Sequence, residues 1–194
     1  MKKLIGLLEN LSGKKIVLED SVFKSRKMDE RLIPIKKELE KSMIIDESNK
    51  TIVIKKDICD YNDCLVLEKF YQGYTINVNG SVNLSDQHLK KLPLINFNKI
   101  NDCFDCSYNK LISFKNCPKV VGGDFYCSDN QLISLEHCPK VVGGNFYCSR
   151  NQLTSLEHCP KVVGGYFYCY DNSKKFTKED VLKYCKVDGK IKFK

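Results

Sequence analysis

The sequence predicts an α+β repeat protein, in which a solenoid of short parallel strands lies between a small α+β N-terminal cap and a helix-plus-strand C-terminal cap. Two observations predict this fold class. A 21-residue unit is written three times between Phe104 and Tyr166 and begins a fourth time at Phe167. The flanking segments keep only parts of that pattern. A fixed period of this size is typical of solenoids, in which each unit stacks only on its neighbours.

Each copy carries the pattern F-x-C-x-x-N-x-L, which matches the strand half of a leucine-rich repeat, L-x-L-x-x-N-x-L, with Phe and Cys in place of two leucines. In the second copy, Phe125, Cys127 and Leu132 are expected to point inward. Asn130 is expected to satisfy backbone groups where the strand turns, because its short amide mimics the backbone. The predicted fold is therefore a leucine-rich-repeat-like solenoid.

The second half of each copy, SLEHCPKVVGG, is expected to return along the other side of the coil. Leu135, Cys138 and either Val141 or Val142 would fill this second wall, and the paired glycines supply positive φ or close approach. Stacking places equivalent residues of successive copies in columns. Burial of each Leu or Phe side chain in such a column stabilises the fold by roughly 1.5–3 kcal/mol. The expected columns are Phe104, Phe125, Phe146 and Phe167; Cys106, Cys127, Cys148 and Cys169; Asn109, Asn130, Asn151 and Asn172; and Leu111, Leu132 and Leu153.

The first 75 residues predict a small α+β cap. A short amphipathic helix is expected over residues 1–12 and a short strand over residues 16–18. A helix is also expected over residues 27–43, where Pro34 is tolerable only near the first turn. The segment TIVIKK predicts a strand over residues 51–56, and a short helix is expected over residues 64–71 after an acidic turn.

Atypical units are expected at both ends of the stack, because a bare end would expose its apolar edge. Residues 80–102 predict a degenerate first repeat with Gln87 at the asparagine position. Thr177 and Asp180 resemble an N-cap signal for a helix ending near Tyr184. Residues 187–193 predict a turn and a final edge strand, whose lysines discourage edge-to-edge pairing. The expected domains are a cap over residues 1–75, a solenoid over 76–172 and a basic cap over 173–194.

Composition is that of an ordinary folded protein, with 42% hydrophobic and 10% aromatic residues. No apolar run approaches the roughly 18 residues that a membrane helix needs, and the N-terminal apolar stretch is too short for a convincing secretory signal. The net charge of +8 divides into +2 over residues 1–80, +1 over 81–172 and +5 over 173–194. The repeats are therefore not an obvious electrostatic footprint for nucleic acid.

Eleven cysteines would suggest a disulfide framework in a small secreted protein, but the count is odd and seven of them fall on the repeat lattice. Four occupy a leucine position of the strand half, while Cys117, Cys138 and Cys159 precede the proline of the return segment. Free cysteine is readily buried as a small hydrophobe. We therefore expect core thiols and a cytoplasmic location.

The units FYCSDNQLISLEHCPKVVGG, the lead-in VNGSVNLSDQHLKKLP and the ending FTKEDVLKYCKVDGKIKF resemble the short leucine-rich-repeat proteins of tailed bacteriophages and prophages. The resemblance covers residues 76–194. NQLTSLEHCP is also similar to the NxLxxLPxLP unit of bacterial leucine-rich-repeat effectors, although the first proline of that unit is absent. Such a resemblance implies protein–protein recognition rather than catalysis, without a cofactor, in the cytoplasm of a host cell.

Function must then be argued from exposed positions, because fold alone does not give it. Strand residues point alternately to opposite faces, so the residues between the core columns are expected outward. Three stacked tyrosines would form a stripe roughly 10 Å long, and Tyr and Arg are favoured at binding hot spots. The predicted partner-binding residues are Tyr126, Tyr147, Tyr168, Tyr170, Tyr108, Asp129, Arg150 and Asp171; Asp105, Ser107, Ser128 and Ser149 are also expected outward.

Other interpretations of the same residues stay open. The tyrosines were duplicated with the repeat and could simply pack against one another as cross-strand pairs. A metal site would use the spacing Cys103-x-x-Cys106 and the recurring His137 and His158, but a second CxxC is missing and Cys106 belongs to a core column. A thiol-based enzyme is disfavoured, because the repeated cysteines lack a unique base.

Nucleic acid is the alternative partner. The C-terminal lysines could neutralise phosphates and tyrosines could stack on bases, although a solubilising cap explains the same lysines. The sequence therefore predicts a non-enzymatic module whose concave strand face recognises a protein. If the phage resemblance holds, that protein would be a host factor that the module inhibits. The identity of the partner, including a second copy of this chain, stays open. The C-terminal lysines are Lys174, Lys175, Lys178, Lys183, Lys186, Lys190, Lys192 and Lys194.

Overall fold

The computed structural model describes residues 20–193, with side chains from residue 30 onward, so the helix and strand expected over residues 1–12 and 16–18 lie outside the described residues. The described residues divide into two units, with the boundary between Pro34 and Ile35. The described strands all belong to the second unit. The fold is α+β, with a few helices and two sheets of many short neighbouring strands, most of them parallel.

The helices match the sequence-based expectations in type but not in their ends. Helix α1 covers Asp20–Glu40, so it starts earlier than expected and stops before Met43, where a strand begins. Pro34 lies inside α1 rather than near its first turn, so that expectation was wrong; the helix gives up the one hydrogen bond that a proline cannot donate. Helix α2 covers Tyr61–Phe70 and helix α3 covers Lys178–Leu182.

The strands are short and alternate between two sheets. In chain order they are β1 (Met43–Asp46), β2 (Thr51–Ile54), β3 (Thr75–Val78), β4 (Val82–Asn83), β5 (Asn96–Ile100), β6 (Phe104–Asp105), β7 (Val120–Val121), β8 (Phe125–Tyr126), β9 (Val141–Val142), β10 (Phe146–Tyr147), β11 (Val162–Val163), β12 (Phe167–Tyr168), β13 (Lys186–Val187) and β14 (Ile191–Lys192).

The larger sheet has the order β1-β2-β3-β5-β7-β9-β11-β13, and the smaller sheet has the order β14-β12-β10-β8-β6-β4. Within the described region, β1 and β2 pair antiparallel, and the other strand pairs are parallel. Strands β8, β10 and β12 pair residue for residue at the repeat period. Each copy therefore contributes one strand to each sheet, and the strands of the return segments, β7, β9 and β11, were not expected from the sequence.

The core lies between the strand half and the return half of each coil. The expected columns of Phe, Cys and Leu are buried along the whole repeat, and neighbouring Phe rings touch with centroids 4.9–5.8 Å apart. Leu135 is also buried in the second wall. The choice left open between two valines is decided, because Val142 is fully buried and Val141 is 38% exposed.

The asparagine column ties each coil to the one before it. The Asn130 amide nitrogen donates to the carbonyls of Cys106, Cys127 and Ser128 at 3.0–3.3 Å. Its oxygen accepts the backbone N–H of Leu111 at 2.9 Å. Asn109, Asn151 and Asn172 make equivalent bonds. The predicted role of this column is therefore confirmed, and buried carbonyls at the turns are satisfied without water.

The paired glycines are needed for close approach between coils. A Cβ atom on Gly143 would lie 2.1 Å from the carbonyl oxygen of Gly122 in the preceding coil. A Cβ on Gly164 would lie 2.2 Å from the oxygen of Gly143. None of these three glycines has a positive φ, so of the two expected reasons only close approach applies here.

The C-terminal cap is itself a coil of the stack. Thr177 Oγ1 accepts the backbone N–H of Asp180, and the Asp180 carboxylate accepts the N–H of Thr177, so the predicted N-cap signal is confirmed as a capping box. Strand β13 pairs with β11, and β14 pairs with β12. The segment expected to hold one final strand therefore extends both sheets.

The stack also reaches upstream of residue 76. Strand β2 pairs in parallel with β3, and Ile58 bridges to Val82 in the smaller sheet. Strand β4 pairs with β6 in the register expected for a degenerate first repeat. Gln87 is exposed, and its amide nitrogen bonds only to the carbonyl of Ser85, so it does not make the bonds of the asparagines that follow.

Candidate recognition surface on the smaller sheet

Tyr126, Tyr147 and Tyr168 form a continuous stack on the smaller sheet, which we call the tyrosine ladder. Their rings are nearly parallel, with centroids 4.7 Å apart for the first pair and 4.5 Å for the second, at interplanar angles of 7° and 13°. The register of β8, β10 and β12 places them side by side. The expected stripe is therefore present, and the tyrosines also pack against one another, as the alternative interpretation required.

Hydrogen bonding fixes one end of the tyrosine ladder. The Tyr126 hydroxyl donates to Asp124 Oδ2 at 2.7 Å. Asp124 also accepts the backbone N–H of Asn145 in the next coil, at 2.6 Å. The bond to Asp124 and partial burial raise the pKa of Tyr126, and burial raises the pKa of Tyr147. Tyr126 and Tyr147 therefore stay neutral phenols at physiological pH within this pre-ordered row.

Asp124 and Asn145 were missed by the sequence analysis, although they shape the surface beside the ladder. They occupy the position directly before the Phe of the following copy, where the next copy has Tyr166. Asn145 Oδ1 accepts the backbone N–H of Tyr166 at 2.7 Å, so the two side chains hold successive coils together. The signal was a position that carries Asp, Asn and Tyr in successive copies, between the repeated glycine pair and the Phe that starts the next copy.

Arg150 is held in a fixed position next to the ladder. Its guanidinium makes two bonds to the Asp129 carboxylate, at 2.6 and 2.9 Å. It also donates to the Tyr170 hydroxyl at 3.3 Å and lies 5.6 Å from the centroid of that ring. The bonds to Asp129 raise the pKa of Arg150, which stays charged. We call Asp129, Arg150 and Tyr170 the arginine cluster; the structure brings these three predicted residues together.

Tyr108, Asp129, Arg150 and Asp171 share an unusual backbone conformation. Their φ angles lie between 51° and 58°, the left-handed region that side chains other than Asn, Asp and Gly rarely adopt. Each precedes the asparagine of its copy, so the turn of the coil imposes this conformation. Tyr108 is 58% exposed and lies two coils from Arg150. The predicted site residues do not all converge on one pocket, although Tyr170 and Asp171 line an open cavity of about 420 Å³.

Two residues expected outward are in fact buried. Ser107 is 6% exposed and Ser149 is 1% exposed, so the prediction was wrong for these two residues, whereas Ser128 at the same position of the second copy is partly exposed. The chain turns directly after the two-residue strand, and period-two alternation ends there. Ser107 Oγ donates to Asp105 Oδ1 at 2.5 Å, whereas Ser149 Oγ has no partner among the described residues.

The cysteines and histidines form no metal site in the described part of the chain. No group of three or more His, Cys, Asp or Glu side chains there has a suitable arrangement. Burial raises the pKa of Cys106, Cys127 and Cys148, which therefore stay thiols. His137 and His158 are exposed in the return segments, each with a Glu carboxylate oxygen 3.7–3.9 Å from its Nε2.

Within residues 173–193, the C-terminal lysines belong to an ordered coil of the stack. Lys174 pairs with Asp180 at 2.8 Å and Lys186 pairs with Asp188 at 3.3 Å. Lys183 lies 4.9 Å from the ring centroid of Tyr184. Part of the positive charge that suggested a nucleic-acid partner is therefore compensated locally.

Comparisons with protein-family models, with curated proteins and with solved structures find no match. No helix within residues 20–193 is both long enough and apolar enough to cross a bilayer.

Proposed function

We propose that this chain is a non-enzymatic recognition module that binds a protein through the tyrosine ladder and the arginine cluster. The observation that carries the proposal is the ladder itself, three stacked phenol rings held on the strands of a rigid sheet. Aromatic and Arg side chains that are already ordered lose little entropy on binding, and such residues dominate interface energetics. Tyr108 and Asp171 would extend the contact area along the same turn of the coil.

The ring geometry favours a protein over a nucleic acid at this surface. Both faces of the Tyr147 ring are covered, by Tyr126 on one side and Tyr168 on the other. A base cannot stack on an inner ring of the ladder, whereas stacking on free aromatic faces is the usual basis of single-strand binding. The edges and hydroxyls that remain suit a protein surface with hydrogen-bonding groups.

We further propose that the module is of the leucine-rich-repeat class of the short phage and prophage proteins, and that it acts in a host cytoplasm. The support for the class is the pattern F-x-C-x-x-N-x-L, together with an asparagine column that bonds between coils. The resemblance of residues 76–194 supports the setting. In that setting the partner is a host protein whose activity is inhibited on binding.

Capture from bacterial lysate, with and without nuclease, tests the proposal. Wild type is compared with the variant in which Tyr126, Tyr147 and Tyr168 are changed to Ala, and captured proteins are identified by mass spectrometry. We expect one protein to be enriched by wild type, insensitive to nuclease and lost in the Ala variant. The corresponding Phe variant keeps the stack, and it separates the contribution of the hydroxyls from that of the rings.

Circular dichroism first establishes that each variant is folded. Equal capture by wild type and by a folded Ala variant would refute the tyrosine ladder as the binding surface. The inhibition step is tested separately, by measuring the activity of the captured protein with and without the purified chain. An unchanged activity would contradict inhibition but not recognition.

A further inference from the structure

A column of lysines lies on the larger sheet, although the net charge of the repeat segment as a whole is small. Lys119, Lys140 and Lys161, which we call the lysine ladder, occupy the same position in the three copies, directly before β7, β9 and β11. The backbone N–H of Lys140 donates to the carbonyl of Lys119, and that of Lys161 donates to Lys140, both at 2.9 Å. All three are exposed, in a row roughly 10 Å long at a strand spacing of about 4.8 Å.

No ion pair neutralises the lysine ladder within the part of the chain whose side chains are described. The aspartates of the repeats belong to the smaller sheet and its adjoining turns, as Asp105, Asp124 and Asp129 show. The return segments also carry Glu136 and Glu157, but their carboxylate oxygens lie 3.7–3.9 Å from Nε2 of the neighbouring histidines, and neither forms an ion pair with a ladder lysine. A segment with a net charge of only +1 over residues 81–172 therefore presents a row of lysines without ion-pair partners.

The row continues into a cleft at its upstream end. Lys119 lines an open cavity of about 270 Å³, which shares Leu94 and Asn116 with a neighbouring cavity of about 450 Å³. The lysines of the second cavity are Lys90, Lys91 and Lys115. Glu68 also lines it, with a carboxylate oxygen 3.1 Å from the backbone nitrogen of Leu94, from which it accepts a hydrogen bond. The cavities and the ladder form a basic path along one side of the coils.

We propose that this path binds the sugar–phosphate backbone of a single-stranded nucleic acid, without sequence preference. The lysines stand in single file and lead into a cleft, which suits one flexible polyanion, whereas an anionic membrane is matched by a broad basic patch. Each lysine can neutralise one phosphate and release its counterions. This site differs from the tyrosine ladder and from the C-terminal lysines, so it does not depend on the proposed protein recognition.

Fluorescence anisotropy with labelled oligo(dT) and oligo(U) of about 20 nucleotides, at salt concentrations from about 50 to 300 mM, tests the proposal. Replacing the lysine ladder with Gln should weaken binding at the lowest salt by about tenfold or more. It should also reduce the slope of log affinity against log salt by about 2, since each contact to a single strand contributes about 0.7. Replacing the three lysines with Arg keeps the charge and should preserve binding.

A matched control changes Lys178, Lys183 and Lys190 of the C-terminal coil to Gln and should leave most of the affinity. Loss of binding in this control together with full binding by the ladder variant would move the site to the C-terminal lysines and overturn the proposal. Absence of binding by wild type at about 50 mM salt would also overturn it. Equal affinity for heparin, or for vesicles containing phosphatidylserine, would reduce the site to a general polyanion surface and refute a nucleic-acid path.

Discussion

At the scale of single residues, the asparagine column does more than turn the chain. Asn130 is 9% exposed and makes bonds to backbone groups of its own copy and of the preceding one. Buried carbonyls that lose such donors have no water to replace them, and each unsatisfied group costs about 1–3 kcal/mol. The column therefore couples local turns to the stacking of coils.

The change Asn130→Asp tests this coupling. The carboxylate can still accept the N–H of Leu111, but it cannot donate to the three carbonyls that Asn130 now bonds. We expect the free energy of unfolding to fall by about 2 kcal/mol or more, measured by urea denaturation. Gln131→Ala, at an exposed neighbouring position, is the control and should change it by less than about 0.5 kcal/mol. A similar small effect of Asn130→Asp would argue against the coupling.

The tyrosines give a pH-dependent signature at the same scale. The pKa values of Tyr61, Tyr71, Tyr126 and Tyr147 are raised, mainly by burial or, for Tyr126, by the bond to Asp124. Because the folded state holds these protons more tightly than the unfolded state, their contribution to stability is intact below pH of about 10 and is lost as pH rises further.

Phenolate absorbance measured against pH should therefore show late-titrating tyrosines in the native protein. In about 6 M guanidinium chloride the tyrosines should titrate together near pH 10. Tyr126→Phe should remove one late-titrating group from the native curve. A single native transition near pH 10 would contradict the arrangement around the ladder.

At the scale of elements, helix α3 determines whether the last coil forms. Its five residues are too few to be stable alone, so its start depends on the capping box of Thr177 and Asp180. The segment that follows supplies β13 and β14, which occupy the downstream edge of both sheets. Loss of the cap should therefore loosen both sheet edges.

Thr177→Ala should lower the free energy of unfolding by about 0.5–2 kcal/mol, because the N–H of Asp180 loses its acceptor. Thr177→Ser keeps the acceptor and should retain most of the stability. Thr154→Ala, at an exposed threonine of the third copy, controls for the loss of a threonine in general. Hydrogen exchange of the backbone N–H groups of Phe167 and Lys186 should accelerate in Thr177→Ala but not in Thr177→Ser or Thr154→Ala.

At the scale of the whole molecule, parallel strands of neighbouring copies interact mainly with the coils on either side. The repeat pairs Phe125 with Phe146 and Val121 with Val142 at the same offset of 21 residues. Stability should then be roughly a sum of coil terms and interface terms, so one coil can be removed without altering the rest.

Deletion of residues 125–145 removes one full period and joins Asp124 to Phe146. We expect a folded protein with lower stability and a smaller urea m-value, because less surface is buried. Deletion of residues 125–144, one residue shorter, leaves an extra residue before the strand and should prevent the columns from aligning. Circular dichroism and denaturation distinguish the two; equal behaviour would show that register across the stack is unimportant.

Much of this architecture could be predicted from local residue patterns. Period, core columns and the capping box follow from residue types at fixed spacings, since a buried Phe or a Thr–Asp pair acts within one coil or one turn. The burial of Ser107 and Ser149 could not be predicted, because strand alternation fails where the chain bends after only two residues. The strand in the return segment was missed because two valines are too short a run to predict one.

The candidate sites, too, could be predicted from the sequence only in part. From the sequence alone it followed that Tyr126, Tyr147 and Tyr168 would align, since identical copies in register place identical side chains together. Only the tertiary structure decided that their rings cover one another and that Arg150 is held by Asp129. It also separated the lysine ladder from the aspartates. Distances between side chains of different coils depend on how the coils stack, and a linear charge count contains no information about that.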